Sequence, residues 1–558
     1  MTEFLNDLSR RRFLAGAAAA SVLTGVTRAA DTPPELPERV KNVNTTSIRA
    51  AVELACQTMS HVFNADDHDI PFFLSTVWPK AELSFYENHT ESHVPGRHLN
   101  ALLNAEDALG VKIDETAVQK HAKAAFFSYS GPVALPLNRD RIGGKLIRFL
   151  PHNIREGFHA LYALVKYRKS ARARELAERS IADINKYWNP ETGWDKATLE
   201  GKFGLFVGEW GSPFMTGIAR SIGPLVKYYR ATGYGPALEL AVVLKEKAVG
   251  EFFVADGSYN AEHFGTHVHS TTCTMSGLAQ LAELTNDSRL LERVKKFYDN
   301  GLKEISDDIG WSIENSSPNS IPDRGEANNT GDVLETALIL GHAGYAECYQ
   351  RAERILRGHL LPCQLRDISF IHDQPNPKNE DGKRNIAQRH LGAFGFPAPY
   401  GHKPVGAEEI SFNMDIVGGA TGSLCEAYRQ TTVHDAAGHH VNLLFDHETS
   451  AIRVRSPYSG GAMSVTVLKP GPLFVRIPDW VSASDVHVEG LAEQPKKLGG
   501  WIVVASPTVG KALSVRFPLR DGELALRHRT HQIHARTRGD SIVAMENFGA
   551  PLEYFDTL

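Results

Sequence analysis

The sequence predicts a two-part fold, in which an all-α domain of stacked helical hairpins is followed by an all-β domain. Three observations predict it. A helical hairpin recurs through the middle of the chain, with Leu164, Leu225, Leu281 and Leu338 at successive steps of 61, 56 and 57 residues. Beyond about residue 430 the apolar period changes from 3.6 to 2. The first thirty residues resemble an export signal and are therefore excluded from the fold.

The composition is that of an ordinary folded protein. The 558 residues are 42% hydrophobic and 22% charged, which excludes a disordered or collagen-like chain. A net charge of −5 without a basic stripe argues against a nucleic-acid partner. Five cysteines without a CxxC pair support neither a disulfide framework nor a zinc ribbon. No run reaches the roughly 20 apolar residues of a membrane helix, so we expect no membrane association after processing.

Residues 1–30 predict a twin-arginine export signal. The run SRRRFL at 9–14 precedes a weakly apolar, Ala- and Gly-rich stretch at 15–26, and small residues surround a cleavage point near Ala29 or Ala30. Such a signal implies the twin-arginine export machinery as a partner, and a periplasmic or secreted location for a bacterial protein. The alternative interpretation is an ordinary amphipathic N-terminal helix.

Residues 31–428 are the predicted helical domain. In each hairpin, apolar residues fall at i, i+3, i+4 and i+7, which places them on one face of a helix. A unit of this length must stack on its neighbours to bury that face, either in an open solenoid or in a closed toroid. Long, irregular inserts favour the toroid. They include GEWGSPF, NAEHFGTHVHST and NSIPDRGEANNTGD, and loops held by a rigid scaffold commonly carry binding sites.

Residues 429–558 are the predicted all-β domain. Short β-rich runs such as AIRVR, MSVTVL, PLFVRI, WIVVA and ALSVRF alternate with turn segments such as SPYSGG and KPG. Seven or more strands without a helix predict a β-sandwich or a jelly-roll-like domain. Its role is either ligand binding or packing against the helices.

Motifs in both parts of the chain match one family. In the helical part they are HVPGRHLNALL at 93–103, HNIREGFHAL at 152–161, GTHVHSTT at 265–272 and GEANNTGDVLETALILGHAGY at 325–345. VNLLFDHE, PLFVRIPDWV and GDSIVAMENFGAPLEYF follow in the β part. With these motifs the chain resembles the β-L-arabinofuranosidase-type glycoside hydrolases of family 127 and their uncharacterised relatives. The resemblance implies an (α/α)6 barrel, which is a six-hairpin toroid, followed by a β-sandwich, with a sugar pocket at one mouth of the barrel.

The chain departs from that family at the zinc site. Characterised members bind zinc through a Glu, a Cys two residues later and an adjacent Cys pair, one of which is the nucleophile. The corresponding residues here are Glu326, Asn328 and the pair Gly418-Gly419. Glycine offers neither a ligand nor a nucleophile, and an amide is a poor zinc ligand beside a thiolate. We therefore expect no metal, no cofactor and a mechanism that uses carboxylates.

Three carboxylates are the predicted catalytic residues. Glycoside hydrolysis uses an acid that protonates the leaving oxygen and a second carboxylate that acts as base or nucleophile. The family resemblance implies Glu314 as the acid. Glu326 then acts as the base, activating a water in the space that the missing thiols leave, with inversion of configuration. Retention would instead indicate Asp415 as the nucleophile. Each residue also has a purely structural interpretation: Glu314 as a solvated loop residue, Glu326 as a helix cap and Asp415 as a surface residue.

Polar residues at helix starts and in the inserts are the predicted substrate-binding set. His267 and His269 share a face if their segment is extended, and Trp210 offers a stacking face for a sugar. An H-x-H pair can also bind a metal, but without a third ligand it more often forms hydrogen bonds. Purely structural roles for the set are helix caps, a buried ion pair and a core Trp. The set is Arg97, His98, Asn100, His152, Asn153, Glu156, Trp210, His267, His269 and Asn328.

The residues and the resemblance together predict an exported glycoside hydrolase that acts on an oligosaccharide from a plant or algal polysaccharide. Two alternatives remain. A polysaccharide lyase would use Arg97, His152 and Asn153 against a uronate-containing glycan. A sugar-binding pseudoenzyme would have kept the pocket after losing the zinc ligands.

Overall fold

A computed structural model describes residues 33–491, 494–527 and 531–558. The predicted export signal at 1–30 lies outside these ranges. Residues Glu35–Leu558 form one compact unit. Within the described part of the chain, no helix combines the length and the apolar character that crossing a bilayer requires.

Twelve main helices make up the helical part of the described chain. They are α1 (Ile48–Ser60), α2 (Val94–Leu109), α3 (Glu115–Ser128), α4 (Ile154–Arg168), α5 (Ala171–Tyr187), α6 (Ile222–Thr232), α7 (Gly235–Lys247), α8 (Val268–Thr285), α9 (Ser288–Asp299), α10 (Ala327–His342), α11 (Glu347–Ile355) and α12 (Met414–Thr431). Short helices occupy Lys196–Gly201, Ala261–Phe264, Ile386–His390 and Pro457–Gly460. Single 3₁₀ or π turns occupy Ala65–Asp67, Pro151–Asn153, Ile218–Ser221, Ala248–Phe252, Gly301–Glu304, Leu356–Leu360, Asp381–Lys383 and Ala483–Asp485.

The even-numbered helices form a closed inner ring. Each of α2, α4, α6, α8, α10 and α12 packs against the next, and α12 packs back against α2. The odd-numbered helices lie outside this ring, each against an inner neighbour. This arrangement is an (α/α)6 toroid, which confirms the predicted fold class and excludes the open solenoid.

Burial explains which helices form the ring. Helices α8 and α10 carry apolar or small residues on nearly every face and are almost wholly buried, whereas α9 turns a charged face to solvent. The four leucines of the sequence repeat lie on α4, α6, α8 and α10 and are at most 4% exposed. The repeat therefore marks successive inner helices.

The N-termini of the inner helices meet at one end of the ring, where the residues before and within their first turns contact one another. We call this end the mouth. The residues that define it precede or open the six inner helices: His93, His152, Arg220, His267, Glu326 and Asp415. Helix N-termini carry partial positive charge, so their convergence stabilises carboxylates at this end.

Small antiparallel and mixed sheets form in the inserts around the helices. One pairs Phe63–Asn64 with Ile70–Pro71, and another pairs Trp188–Asn189 with Gly193–Trp194. A third orders Ile410–Ser411, Leu74–Trp78 and Glu82–Ser84. A fourth, which we call the rim sheet, orders Leu137–Arg139, Leu146–Phe149 and Phe206–Val207. The hairpin pattern of the sequence did not predict these strands.

Two five-stranded sheets form a sandwich after α12 ends at Thr431. One orders Thr432–His434, His439–Val441, Leu473–Arg476, Trp501–Val504 and Lys496–Leu498. The other orders His447–Glu448, Ile452–Arg455, Met463–Val467, Ala512–Arg516 and His487–Glu489. Alternate side chains of both sheets meet in a core of their own. The predicted division at residue 429 falls in the last turn of α12.

A third, four-stranded sheet ends the chain and belongs to the helical core. It orders Asp521–Arg527, Gln532–Arg538, Ser541–Met545 and Asp556–Thr557. Its buried face, which includes Ile533, Ala535 and Ile542, joins the core of the toroid instead of that of the sandwich. The alternation of buried and exposed residues predicted strands correctly, but the expectation that residues 429–558 form one sandwich is wrong, because strand pattern does not specify which surface covers the apolar face.

A buried ion network joins α11 to the sandwich. Glu353 pairs with Arg357 at 2.9 Å and also with Arg476, and all three side chains are at most 3% exposed. Glu353 also accepts a hydrogen bond from the backbone N–H of Leu444 at 2.9 Å. A buried charge network of this kind is costly to break once it has formed.

Candidate functional site

An ionic floor lies beneath the mouth. Glu156 on α4 is fully buried, and its Oε1 accepts hydrogen bonds from Arg97 at 3.0 Å, Arg155 at 3.1 Å and Arg220 at 2.7 Å. Burial alone would raise the pKa of Glu156, but the charges of Arg220, His93 and Arg97 outweigh it and hold that pKa well below its usual range. Glu156 is thus the counter-ion of three guanidinium groups, which corrects its predicted role as a substrate ligand.

His93 bridges two carboxylates across the ring. Its Nδ1 lies 3.0 Å from Oδ2 of Asp415, and its Nε2 lies 3.2 Å from Oε2 of Glu156. His93 thus connects the carboxylate of α4 with that of α12. His93 was not among the residues predicted from the sequence, although it opens the motif at 93–103. Its place directly before an inner helix was the signal that could have found it.

Asp415 is held as a carboxylate. Arg97 Nε lies 3.3 Å from the same Oδ2 that His93 contacts, and the Asp415 side chain is 6% exposed. Burial would raise the pKa of Asp415, but the hydrogen bond from His93 and the charge of Arg97 leave it below its usual value. The second carboxylate oxygen, Oδ1, has no such partner among the described residues.

Glu326 has the opposite electrostatic environment. It stands at the N-cap position of α10 without a side-chain capping bond, is 7% exposed, and accepts a hydrogen bond from Asn328 Nδ2 at 2.8 Å. Burial, together with the nearby charges of Asp415 and Glu314, raises the pKa of Glu326 to about 8. Glu326 is therefore protonated at neutral pH while Asp415 is ionised. Two neighbouring carboxyl groups with pKa values pushed apart are the arrangement that acid and nucleophile or base require.

Glu314 lies at the outer edge of the mouth. Its carboxylate pairs with Arg324, and its side chain is 31% exposed. The Arg324 guanidinium in turn stacks on Phe396, 4.1 Å from the ring centroid. Glu314 is therefore held in an ion pair with Arg324 at the edge of the mouth.

A row of neutral histidines faces the mouth. His152 donates from Nδ1 to the Thr216 carbonyl at 2.8 Å, and His89 donates from Nδ1 to Asn153 Oδ1 at 2.8 Å. Burial lowers the pKa of His152 well below its usual range, and the pKa of His89 to about 3. Each ring therefore keeps Nε2 as a hydrogen-bond acceptor.

Two further predicted residues complete this row. The His267 ring centroid lies 5.0 Å from that of His152, and burial lowers the pKa of His267 to about 3. Trp210 is half-buried, and its ring centroid lies 4.8 Å from that of His152. His89 was not predicted from the sequence, since it lies in an insert outside the family motifs.

Several residues that were predicted to bind substrate do not face the mouth. His98 donates to the Met414 carbonyl at 2.7 Å and packs against His121 between helices, so it does not face substrate. Asn153 is fully buried and orients His89. Asn100 instead lines a polar cavity of about 30 Å³ inside the ring, where there is room for about one water.

His267 and His269 do not share a face, because their segment is not extended. His267 caps α8 and hydrogen-bonds Ser270 at 2.8 Å, whereas His269 lies in the first turn of that helix and contacts Asp332 at 3.3 Å. Their rings are inclined by 77°. The shared face that an extended segment would give is therefore not formed, and each ring makes separate polar contacts.

The residues at the family's zinc position do not fit zinc. A Cβ atom at Gly419 would lie 1.9 Å from Asn328 Oδ1 and 2.4 Å from Arg97 Nη1. A Cβ at Gly418 would lie 2.7 Å from the Arg97 backbone. An amide and a guanidinium thus fill the space of the missing thiols. Gly418, Gly419, Asn328 and Arg97 also line the polar cavity of about 30 Å³, so the space that remains beside the two glycines has room for about one water.

Another potential metal-binding group lies deeper in the ring. Ligand atoms of His269, Cys273 and Asp332 all lie within 4.8 Å of one another in the described chain. However, Arg155 Nη2 lies 3.2 Å from Asp332, and Arg220 Nη2 lies 3.2 Å from His269 Nδ1. These guanidinium groups already neutralise the acidic ligand, and their charges repel a divalent cation.

Comparisons with known proteins identify the fold. No protein-family model matches the chain, and no curated protein sequence matches it. A family 127 β-arabinofuranosidase structure has a TM-score of 0.54 at 12% identity and covers 91% of this chain and 84% of its own. A family 127 β-L-arabinofuranosidase from Geobacillus stearothermophilus T6 has a TM-score of 0.53 at 14% identity, covering 90% and 86%. A structure described as a glycoside hydrolase has a TM-score of 0.52 at 12% identity, covering 80% and 76%.

The chain is thus an (α/α)6 toroid followed by β-sheets. The resemblance to the family 127 enzymes that the sequence predicts holds at the level of the fold.

Proposed function

We propose that the protein is a glycoside hydrolase that removes a neutral sugar from the end of a plant or algal oligosaccharide, without a metal. The observation that carries the proposal is the pair formed by Glu326 and Asp415 at the mouth. Burial raises the pKa of Glu326 to about 8, whereas His93 and Arg97 keep the pKa of Asp415 below its usual value. The protonated Glu326 can donate a proton, and the ionised Asp415 can act as the nucleophile.

In the proposed mechanism, Glu326 protonates the glycosidic oxygen as its bond to the anomeric carbon breaks. Asp415 attacks that carbon through Oδ1 and forms a glycosyl ester. Glu326, now ionised, takes a proton from water, which cleaves the ester and restores both groups. Because Asp415 is held as a carboxylate near the protonated Glu326, we favour this two-step route, which retains the anomeric configuration. It replaces the inverting route with Glu314 as acid and Glu326 as base.

The charges and acceptors at the mouth support a neutral sugar. His89 and His152 present Nε2 acceptors to sugar hydroxyls, and Trp210 offers a ring face. Arg97 lies within ion-pair distance of both Glu156 and Asp415, so it is not free to neutralise a uronate. This pairing counts against the lyase alternative. The ionic floor closes the ring beneath the mouth. A site closed at the bottom suits the terminal sugar of an oligosaccharide.

The proposal includes export. It rests on the twin-arginine motif at residues 9–14 and places the mature protein in the periplasm or outside the cell. Its substrate would then be an oligosaccharide released outside the cytoplasm.

A panel of arabinose-, xylose-, galactose- and fucose-containing oligosaccharides tests the proposal. We expect reducing-end release from at least one, with retained configuration by NMR. Glu326→Gln and Asp415→Asn should each reduce turnover by about 10²–10⁴-fold. Glu292→Gln on α9, which is exposed and far from the mouth, is the matched control.

Different outcomes would contradict parts of this assignment. Absorbance from an unsaturated uronate would identify a lyase, and binding without turnover would identify a pseudoenzyme. Inversion would remove the nucleophilic role of Asp415. A large loss in Glu314→Gln, with Glu326→Gln unaffected, would restore Glu314 as the acid.

A further inference from the structure

The rim sheet places an aromatic ring and a guanidinium side by side at the edge of the mouth. Arg148 and Phe206 are register partners on adjacent parallel strands. The Arg148 guanidinium lies 4.6 Å from the Phe206 ring centroid, and Phe206 is 48% exposed. An exposed aromatic ring is the kind of surface that stacks on the apolar face of a sugar.

Arg148 differs from the arginines of the ionic floor because it has no carboxylate partner. Within the described ranges, no Asp or Glu oxygen lies within 4.0 Å of its guanidinium. Its Nε and Nη2 donate instead to Asn88 Oδ1, at 3.0 and 2.7 Å. A neutral amide fixes the orientation of the guanidinium but leaves its charge uncompensated. The N–H groups of Nη1 and one N–H of Nη2 remain available to a ligand.

Hydrogen bonds connect this pair to the sugar-binding row. The Asn88 carbonyl accepts from Asn153 Nδ2 at 2.7 Å, and Asn153 Oδ1 accepts from His89 at 2.8 Å. On the other side, Phe206 and Trp210 lie four residues apart on one segment. The Arg148–Phe206 pair is therefore held at a defined place beside the mouth and does not belong to a distant surface.

We propose that Arg148 and Phe206 form a subsite for an anionic sugar unit, joined to the neutral sugar that occupies the mouth. The anionic group is a carboxylate or a sulfate ester, since both present paired oxygens to a guanidinium. Phe206 stacks on the ring of that unit, and Arg148 binds its charge. This subsite deepens the proposed function, on which it rests, by assigning the substrate to acidic glycans that carry neutral terminal sugars.

Binding measurements by calorimetry on the full mature protein test this subsite. The probes are an oligogalacturonate that ends in a neutral arabinose and its carboxyl-reduced form, and a sulfated galactan oligosaccharide that ends in an unsulfated galactose and its desulfated form. We expect the wild type to bind at least one charged probe more tightly than its neutral form. Arg148→Gln should weaken binding of that charged probe by about tenfold and leave the neutral form unchanged. Arg148→Lys should recover part of the loss.

Two further variants separate stacking from charge. Phe206→Ala should weaken charged and neutral forms alike. Arg179→Gln removes the same charge from α5, where the side chain is 59% exposed, and should bind as the wild type does. The uronate and sulfate pairs distinguish the two sources of the anionic group.

Three results would overturn the inference. The first is that the wild type binds the charged and neutral forms of both glycans with equal affinity. The second is that Arg148→Gln does not weaken binding of the charged probe. The third is that Arg179→Gln weakens that binding as much as Arg148→Gln does. Failure of the proposed hydrolase function would instead appear as an absence of cleavage by the wild type, which these binding measurements do not require.

Discussion

Replacing Glu326 with Gln provides the sharpest test of the site. The amide has the shape of the protonated acid but cannot ionise. Folding raises the pKa of this carboxyl from 4.5 to about 8. At about 1.4 kcal/mol per pKa unit, ionising the folded group costs on the order of 5 kcal/mol relative to the unfolded chain.

The sign of the effect follows from the direction of the shift. Because the folded protein binds this proton more tightly than the unfolded chain, the stabilisation is complete below about pH 4.5 and is lost as pH rises through about 8. The Glu326→Gln variant does not lose it. The variant should therefore gain stability relative to the wild type between pH 5 and pH 9. With an unfolding entropy of about 1.1 kcal/mol/K for a chain of this length, the gain corresponds to about 4 °C in Tm.

Scanning calorimetry from pH 5 to pH 9 measures this difference, with Glu292→Gln as the control. On a cleaved substrate, the wild-type rate should also fall as pH rises above about 8, where Glu326 loses its proton. A Tm difference that is the same at pH 5 and pH 9 would refute the burial argument. A rate that stays constant beyond pH 9 would refute the role of Glu326 as proton donor.

Three further predictions concern packing, the domain contact and export. Gly419→Ala should destabilise the fold by about 1–3 kcal/mol, because its Cβ would overlap an amide and a guanidinium. Gly422→Ala should cost less, because the nearest atom to its Cβ would lie at 3.5 Å. Denaturant unfolding of the two variants measures the difference. Glu353→Ala should cost about 3–5 kcal/mol, since it leaves two buried guanidinium groups without their partner, and an unchanged melting profile would contradict this. Arg10→Lys combined with Arg11→Lys should retain the precursor in the cytoplasm, and fractionation with an unchanged periplasmic yield would refute the export signal.

The sequence determined the helical hairpins and the strands that follow them, because that information is local and periodic. An apolar stripe every 3.6 residues specifies a helix and its buried face, and hairpins of nearly constant length can stack only on copies of themselves. The family resemblance predicts that a thiolate zinc site is absent, because Asn328, Gly418 and Gly419 stand at the positions of the cysteines. It also made candidates of Glu326, which precedes a predicted helix start, and of Asp415, which lies close to the Gly418-Gly419 segment in the sequence.

Tertiary structure decided the chemistry of those residues. His93 and Asp415 are 322 positions apart in the chain, yet their contact keeps one carboxylate ionised. The pKa of Glu326 depends on burial and on charges supplied by other segments. Arg97 lies against Gly418 and Gly419, and Glu156 pairs with three guanidinium groups, which no pattern along the chain specified. Desolvation and Coulomb interactions act through space, so a pattern along the chain can place a carboxyl group at the mouth but cannot say whether it holds a proton.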